Sequence, residues 1–106
     1  MNMVRNYPVM SFHMTQTPLY LFANVRHPCE GRPNVTAIVL FGLTVQGEDS
    51  PVYMEIRFID YLARQIDGDH LMFSLDHALM SARNDYGILE TDWRAMSTEE
   101  IDRIDW

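Results

Sequence analysis

Apolar and polar residues alternate singly through much of the first half of this chain, and recur at three- and four-residue spacing through the second. A strand points successive side chains to opposite faces, whereas a helix returns to one face about every 3.6 residues. The pattern therefore predicts strands first and helices afterwards. Leu19 to Arg26 sets Leu19, Leu21, Ala23 and Val25 on one face and Tyr20, Phe22, Asn24 and Arg26 on the other. Val9 to Met14 is a weaker candidate strand, and Pro18, between the two, suits a strand start. Val35 to Gln46 is the clearest strand. Val35, Ala37, Val39, Phe41, Leu43 and Val45 make one face, and Ile38 and Leu40 make the middle of the other apolar too. A strand apolar on both faces belongs inside a sheet. Gly42 marks either a bulge or a close packing approach.

The loop from His27 to Asn34 holds two prolines and a glycine, which leave little room for regular pairing. Gly47 to Pro51 reads as a turn. Val52 to Phe58 alternates again, with Glu55 and Arg57 expected outward, and completes a hairpin with the preceding strand. A rival helix, capped by Ser50 with Pro51 at its first position, also fits Val52, Ile56, Ile59, Ala63 and Ile66. The clustering of Val, Tyr, Ile and Phe favours the strand. Ile59 to Asp67 then reads as a helix with Ile59, Leu62, Ala63 and Ile66 on one face and Gly68 at its end. A second helix covers Ser74 to Tyr86, with Leu75, Ala78, Leu79 and Ala82 inward, Ser74 as cap and Gly87 as terminator. The last, Thr98 to Asp105, opens on a capping box of Ser97 and Glu100, with Met96 and Ile101 at the staple positions. So short a helix is unstable alone, so Ile101, Ile104 and Trp106 are expected to pack on something. The fold expected is α+β, in one compact domain over residues 1–106. An antiparallel sheet of three to four strands from the N-terminal half is packed by two to three helices from the C-terminal half.

Composition adds limits. With 106 residues, 47 % of them apolar and 22 % charged, the chain is long and apolar enough to bury a core without staples. A single cysteine, Cys29, excludes an intramolecular disulfide and fits a reducing compartment. The first residues lack the apolar stretch of a signal peptide, and the longest apolar run, Ala37 to Leu43, is too short for a bilayer. A cytoplasmic protein without membrane contact is therefore expected, and the Asn34-Val35-Thr36 sequon is read as chance. All eight basic residues are arginine, for which genomic base composition is sufficient reason. Met54, Met72, Met80 and Met96 read as gap-filling core residues.

Charge is placed unevenly. Residues 1–58 hold four acids and four arginines, whereas residues 59–106 hold eleven acids and four arginines and so carry the whole net charge of −7. An acidic protein repels phosphate backbones, so nucleic acid is not expected as a direct partner and a basic protein is.

Candidate chemistry is sparse. Asp67, Asp69, His70, Asp76 and His77 offer metal-ligand side chains, but their spacing matches neither a zinc helix motif nor a calcium loop; a solvated turn between helices explains them. His27 and Cys29 flank a proline without a third orienting group. Ser11, Ser50, Ser74, Ser81 and Ser97 sit in no nucleophile elbow, and there is no glycine-rich phosphate loop. His13, between Phe12 and Met14, reads as a satisfied strand histidine. No catalytic residue, metal or cofactor is expected. What remains is a presented acidic segment: Asp85, Glu90, Asp92, Glu99, Glu100, Asp102 and Asp105, with Trp93 and Trp106 as apolar anchors. Arg83, Arg94 and Arg103 interrupt it, which argues against full mimicry of a phosphate backbone.

The function expected is a small non-enzymatic interaction protein that binds and inhibits or regulates a basic partner protein, for instance one that handles nucleic acid. Its contact surfaces would be the sheet edge and the acidic helices. Chains of this size and charge occur among phage or mobile-element inhibitors of bacterial defence, anti-CRISPR proteins included, and among immunity proteins. That analogy has no residue motif behind it. The alternative is a small-ligand or metal-binding domain or enzyme, in one form a homodimer, using the Asp/His cluster at 67–77.

Overall fold

The computed structural model describes residues 20–44, 46–47 and 51–103. The expected strand at Val9 to Met14, with His13, lies outside them, as do Pro18, Leu19, Val45, Ser50 and Ile104.

Among the described residues, five strands and two helices follow one another as β1 (Tyr20–Asn24), β2 (Ala37–Leu43), β3 (Val52–Asp60), β4 (Gln65–Met72), α1 (Leu75–Tyr86), β5 (Arg94–Ala95) and α2 (Thr98–Arg103). A 3₁₀ turn at Glu90–Asp92 precedes β5. The strands form one sheet in the order β4-β3-β2-β1-β5, every neighbour antiparallel. The class is α+β, as the residue pattern implies, but the sheet has five strands rather than three or four.

β2 is central because it is apolar on both faces. Ile38 and Leu40 point to the layer that α1 covers, with Ala23, Tyr53, Met72, Ala78, Ala82, Tyr86 and Ile88. Ala37, Val39 and Phe41 point the other way, into a second cluster with Phe22, Ile56, Phe58 and Met96, against which Tyr61 and Ile101 pack. Gly42 pairs with Tyr53 in unbroken register, so no bulge occurs there. α1 keeps its expected bounds. Ser74 caps it by accepting the His77 N–H at 3.1 Å. Gly87, at φ 69°, ends it and donates to the carbonyls of Ala82 and Arg83. α2 opens on the expected box: Glu100 N–H donates to Ser97 Oγ at 3.1 Å, and Ser97 N–H donates to Glu100 Oε1 at 3.0 Å.

Two expectations are corrected. Ile59 to Asp67 is not a helix: β3 runs on to Asp60, residues 61–64 turn, and β4 returns. The helical stripe has nothing to bury it, since Leu62 is 78 % exposed and Ile66 47 % exposed. β3 alternates instead and is buried on both faces, with Tyr53 and Glu55 toward α1 and Ile56 and Phe58 toward the second cluster. Asp60 accepts the Ala63 N–H at 3.0 Å, Arg64 N–H donates to the Tyr61 carbonyl at 3.1 Å, and Arg64 takes φ 57°. These are the devices of a tight turn. The second correction concerns Glu55 and Arg57, both expected outward: the Arg57 side chain is 12 % exposed, and Glu55 is 3 % exposed. It pairs with Leu40 and His70 across its two neighbours, and Leu40 faces α1, so Glu55 does too.

Candidate functional site

The acidic C-terminal segment divides into carboxylates with internal partners and carboxylates without. Ile88 is drawn into the core after Gly87, and the chain then makes the 3₁₀ turn. Asp92 closes that turn by accepting the Leu89 N–H at 2.8 Å, while Arg26 Nε and Nη2 donate to its two oxygens at 2.6 and 2.8 Å. These bonds, Arg26 first, bring the Asp92 carboxyl down to about 2. Trp93 is half-buried against the layer under α1, which makes it a packing residue. Its Nε1 is buried with no acceptor among the described residues.

Glu100 is the most occupied carboxylate of the segment. Arg94 Nη1 and Nη2 donate to Oε1 and Oε2, both at 2.8 Å, and Tyr61 Oη donates to Oε2 at 3.0 Å. With the Ser97 cap these hold Glu100 at about 2, Arg94 having the largest effect. Tyr61 is pushed up to about 12, by burial first and then by Glu100. The Arg94 guanidinium also lies 4.6 Å from the centroid of Phe22. Asp92 and Glu100 are therefore structural. Asp85, Glu90, Glu99 and Asp102 are exposed and make no ion pair among the described residues. Asp105 and Trp106 lie outside the described residues.

The Asp/His group at 67–77 is split between two elements. Asp67, Asp69 and His70 lie on β4, whereas Asp76 and His77 lie in the first turn of α1. Asp69 pairs with Ile56 on the face away from α1, and His70 pairs with Glu55 on the α1 side. Among the described residues no three of His, Cys, Asp and Glu stand close enough to hold a metal ion. His27 is exposed and Cys29 half-buried in the loop before β2, with Arg32 N–H donating to the Cys29 carbonyl at 3.0 Å. Of the core methionines expected, Met72 and Met96 are buried and Met54 is half-buried, but Met80 is 62 % exposed. Met80 stands between Asp76, Arg83 and Glu90 on the outer side of α1, in a shallow cleft of about 340 Å³.

Two features escaped the sequence reading. Beneath α1, Glu55 Oε1 accepts from Arg57 Nη1 at 3.3 Å, and Arg57 Nη2 reaches the Asp69 carbonyl at 3.4 Å. Glu55 Oε2, Arg57 Nε and Tyr86 Oη are buried without a hydrogen-bond partner among the described residues. Burial pushes the Glu55 carboxyl up, against the opposing pull of Arg57. A carboxylate two residues from an arginine on a strand beside doubly apolar β2 was the available signal. The other feature is the outer side of β4. This strand ends the sheet, and its residues are exposed from Gln65 to Leu71 apart from half-buried Gly68. Ile66 and Leu71 are 47 % and 42 % exposed, and the adjoining Phe73 is 77 % exposed.

No helix among the described residues is long and apolar enough to cross a membrane. No family model, curated protein or solved structure matches this chain.

Proposed function

We propose that this chain is a cytoplasmic, non-enzymatic interaction protein that binds a basic surface of another protein and thereby blocks or regulates it. The observation that carries this reading is a set of exposed carboxylates that make no ion pair among the described residues and lie mostly in the second half of the chain: Glu30, Asp60, Asp69, Asp76, Asp85, Glu90, Glu99 and Asp102. Carboxylates without internal partners generate an outward field that speeds encounter with a basic surface and disfavours acidic ones. Met80, Phe73 and Leu71 stand exposed on the same half of the chain and supply apolar contact area. Apolar anchors contribute most of the affinity in such interfaces, and rim charges mainly set rate and selectivity. Inhibitors of bacterial defence nucleases and immunity proteins are the class of protein for which this combination is useful.

The test is affinity purification from the source cells with the wild type and with Asp85→Lys/Glu99→Lys/Asp102→Lys, followed by mass spectrometry. Glu100 stays unchanged because its loss would disturb α2. The expected result is a basic partner retained at low salt by the wild type and lost by the variant. The same partner held equally by both proteins at every salt concentration would end this reading.

A further inference from the structure

We infer that the open edge of β4 is a docking strand for an extended, basic segment of the partner, which would join the sheet as a sixth strand. This rests on the basic-partner reading above and deepens it by naming the surface and the conformation of what binds there. An edge strand turns alternate backbone N–H and C=O groups away from its neighbour, and these act as a template for another chain. β4 spans Gln65–Met72, long enough for a specific pairing, and among the described residues only β3 pairs with it. The opposite edge is different, since β5 closes β1 there over Leu21 and Phe22.

Proteins commonly blunt such an edge with proline, with charges, lysine above all, or with a bulge. β4 has no proline or lysine, and its irregular pairing is confined to its start, so Gly68 to Met72 keeps a regular register with β3. Its charges are Asp67 and Asp69. Asp67 is the extra residue at the register slip between Arg57 and Phe58, and lies 3.8 Å from Arg57 Nε. Asp69 has no ion pair among the described residues. These acids favour a basic occupant. A second copy pairing antiparallel about Gly68 sets Asp67 against Asp69 of the other copy, and one pairing about Asp69 sets Asp69 against itself. Like charges directly opposite one another destabilise a ladder. A strand with arginine or lysine at the matching positions reverses the sign. Ile66 and Leu71, exposed on the Asp69 face, then accept aliphatic side chains from the same strand. The partner segment is thus extended, with basic and aliphatic residues interspersed.

The experiment uses the full chain and a synthetic decapeptide, Val-Thr-Arg-Thr-Val-Thr-Arg-Thr-Val-Thr, in which valine and arginine alternate along one face, against the same peptide N-methylated throughout. Methylation keeps the side chains and removes the donors that an added strand needs. The expected result is slowed hydrogen exchange at β4 amides with the unmodified peptide, none with the methylated one, and about tenfold weaker binding by Asp67→Asn/Asp69→Asn. Equal binding of both peptides, or exchange effects at Asp85, Glu99 and Asp102 instead of β4, would overturn the edge while leaving the basic-partner reading in place. No peptide binding by the wild type would overturn the edge as well, the wider reading being judged by the purification above. Concentration-dependent protection of β4 without peptide would make a second copy the occupant.

Discussion

Glu55 and Glu100 show how far two carboxylates of one small protein can be driven in opposite directions. Glu55 lies under α1, where burial disfavours its charge more than Arg57 restores it, so its carboxyl titrates above the ordinary 4.5. The folded state then binds more protons than the unfolded state as pH rises past that value, and stability falls. Glu100 and Asp92, both near 2, behave conversely: their contribution is present above the ordinary carboxylate range and is lost as pH falls toward 2. The two windows lie on opposite sides of the ordinary value and so can be separated. Urea unfolding midpoints of the wild type should decline as pH rises through the Glu55 window, and Glu55→Gln should flatten that decline without altering the acid limb. Tyr61 gives an optical check. Its phenol, near 12, should ionise after the exposed tyrosine average, and Glu100→Gln should bring it down in a spectrophotometric titration while keeping the cap.

Elements were legible where a local device coincides with the hydrophobic period. Ser74 and Gly87 bound α1, and Ser97 with Glu100 starts α2, because caps are short-range interactions written in neighbouring residues. Ser74→Ala should cost about 1 kcal/mol in denaturant unfolding. Gly87→Ala should cost about 1–2 kcal/mol, since φ 69° is strained for any residue with a Cβ. An added Cβ would also stand 2.3 Å from His27 Nε2. His27→Ala should therefore recover part of that loss but leave the backbone strain. The β3–β4 hairpin was misread because Ile59, Leu62, Ala63 and Ile66 happen to satisfy the helical period while the turn signal is a lone aspartate. Only the tertiary context, in which β3 must cover the side of β2, decides for the strand. β5 was invisible for a related reason. Two residues carry no period, and their strand state comes wholly from pairing with β1.

The whole molecule places a sheet between two apolar layers, and its central strand is needed by both. Ile38 and Leu40 serve one layer and Val39 the other, each with no exposure. Leu40→Ala should cost roughly 2–5 kcal/mol, measured by the same unfolding midpoints, because α1 cannot close the space left. The charge asymmetry between the chain's halves was readable from residue counts, but its allocation was not. Arg26 and Arg94 reach Asp92 and Glu100 across contacts that only the folded chain creates, and these remove both acids from the presented surface. Binding to a basic partner should accordingly weaken with salt, with a slope that Asp85→Asn and Glu99→Asn reduce and that Arg26→Gln, which frees Asp92, steepens.

Arg94 joins four things at once: the ladder to Phe22, the ring of Phe22, the carboxylate of Glu100, and through it the first turn of α2. Pairing between β1 and β5 spans two residues, so their separation is resisted mainly by the Arg94 contacts and by the packing of Met96 and Ile101 on the second cluster. The chain from Arg94 to Arg103 is thereby expected to open as one cooperative unit, below the free energy of global unfolding. Native-state exchange should show the amides of Met96 and Ile101, which bond to Tyr20 and Ser97, released together. Arg94→Ala should bring both to the same faster rate while β2 and β3 keep theirs. The short C-terminal arm would then act as a latch whose release converts the closed margin of the sheet into a second open one.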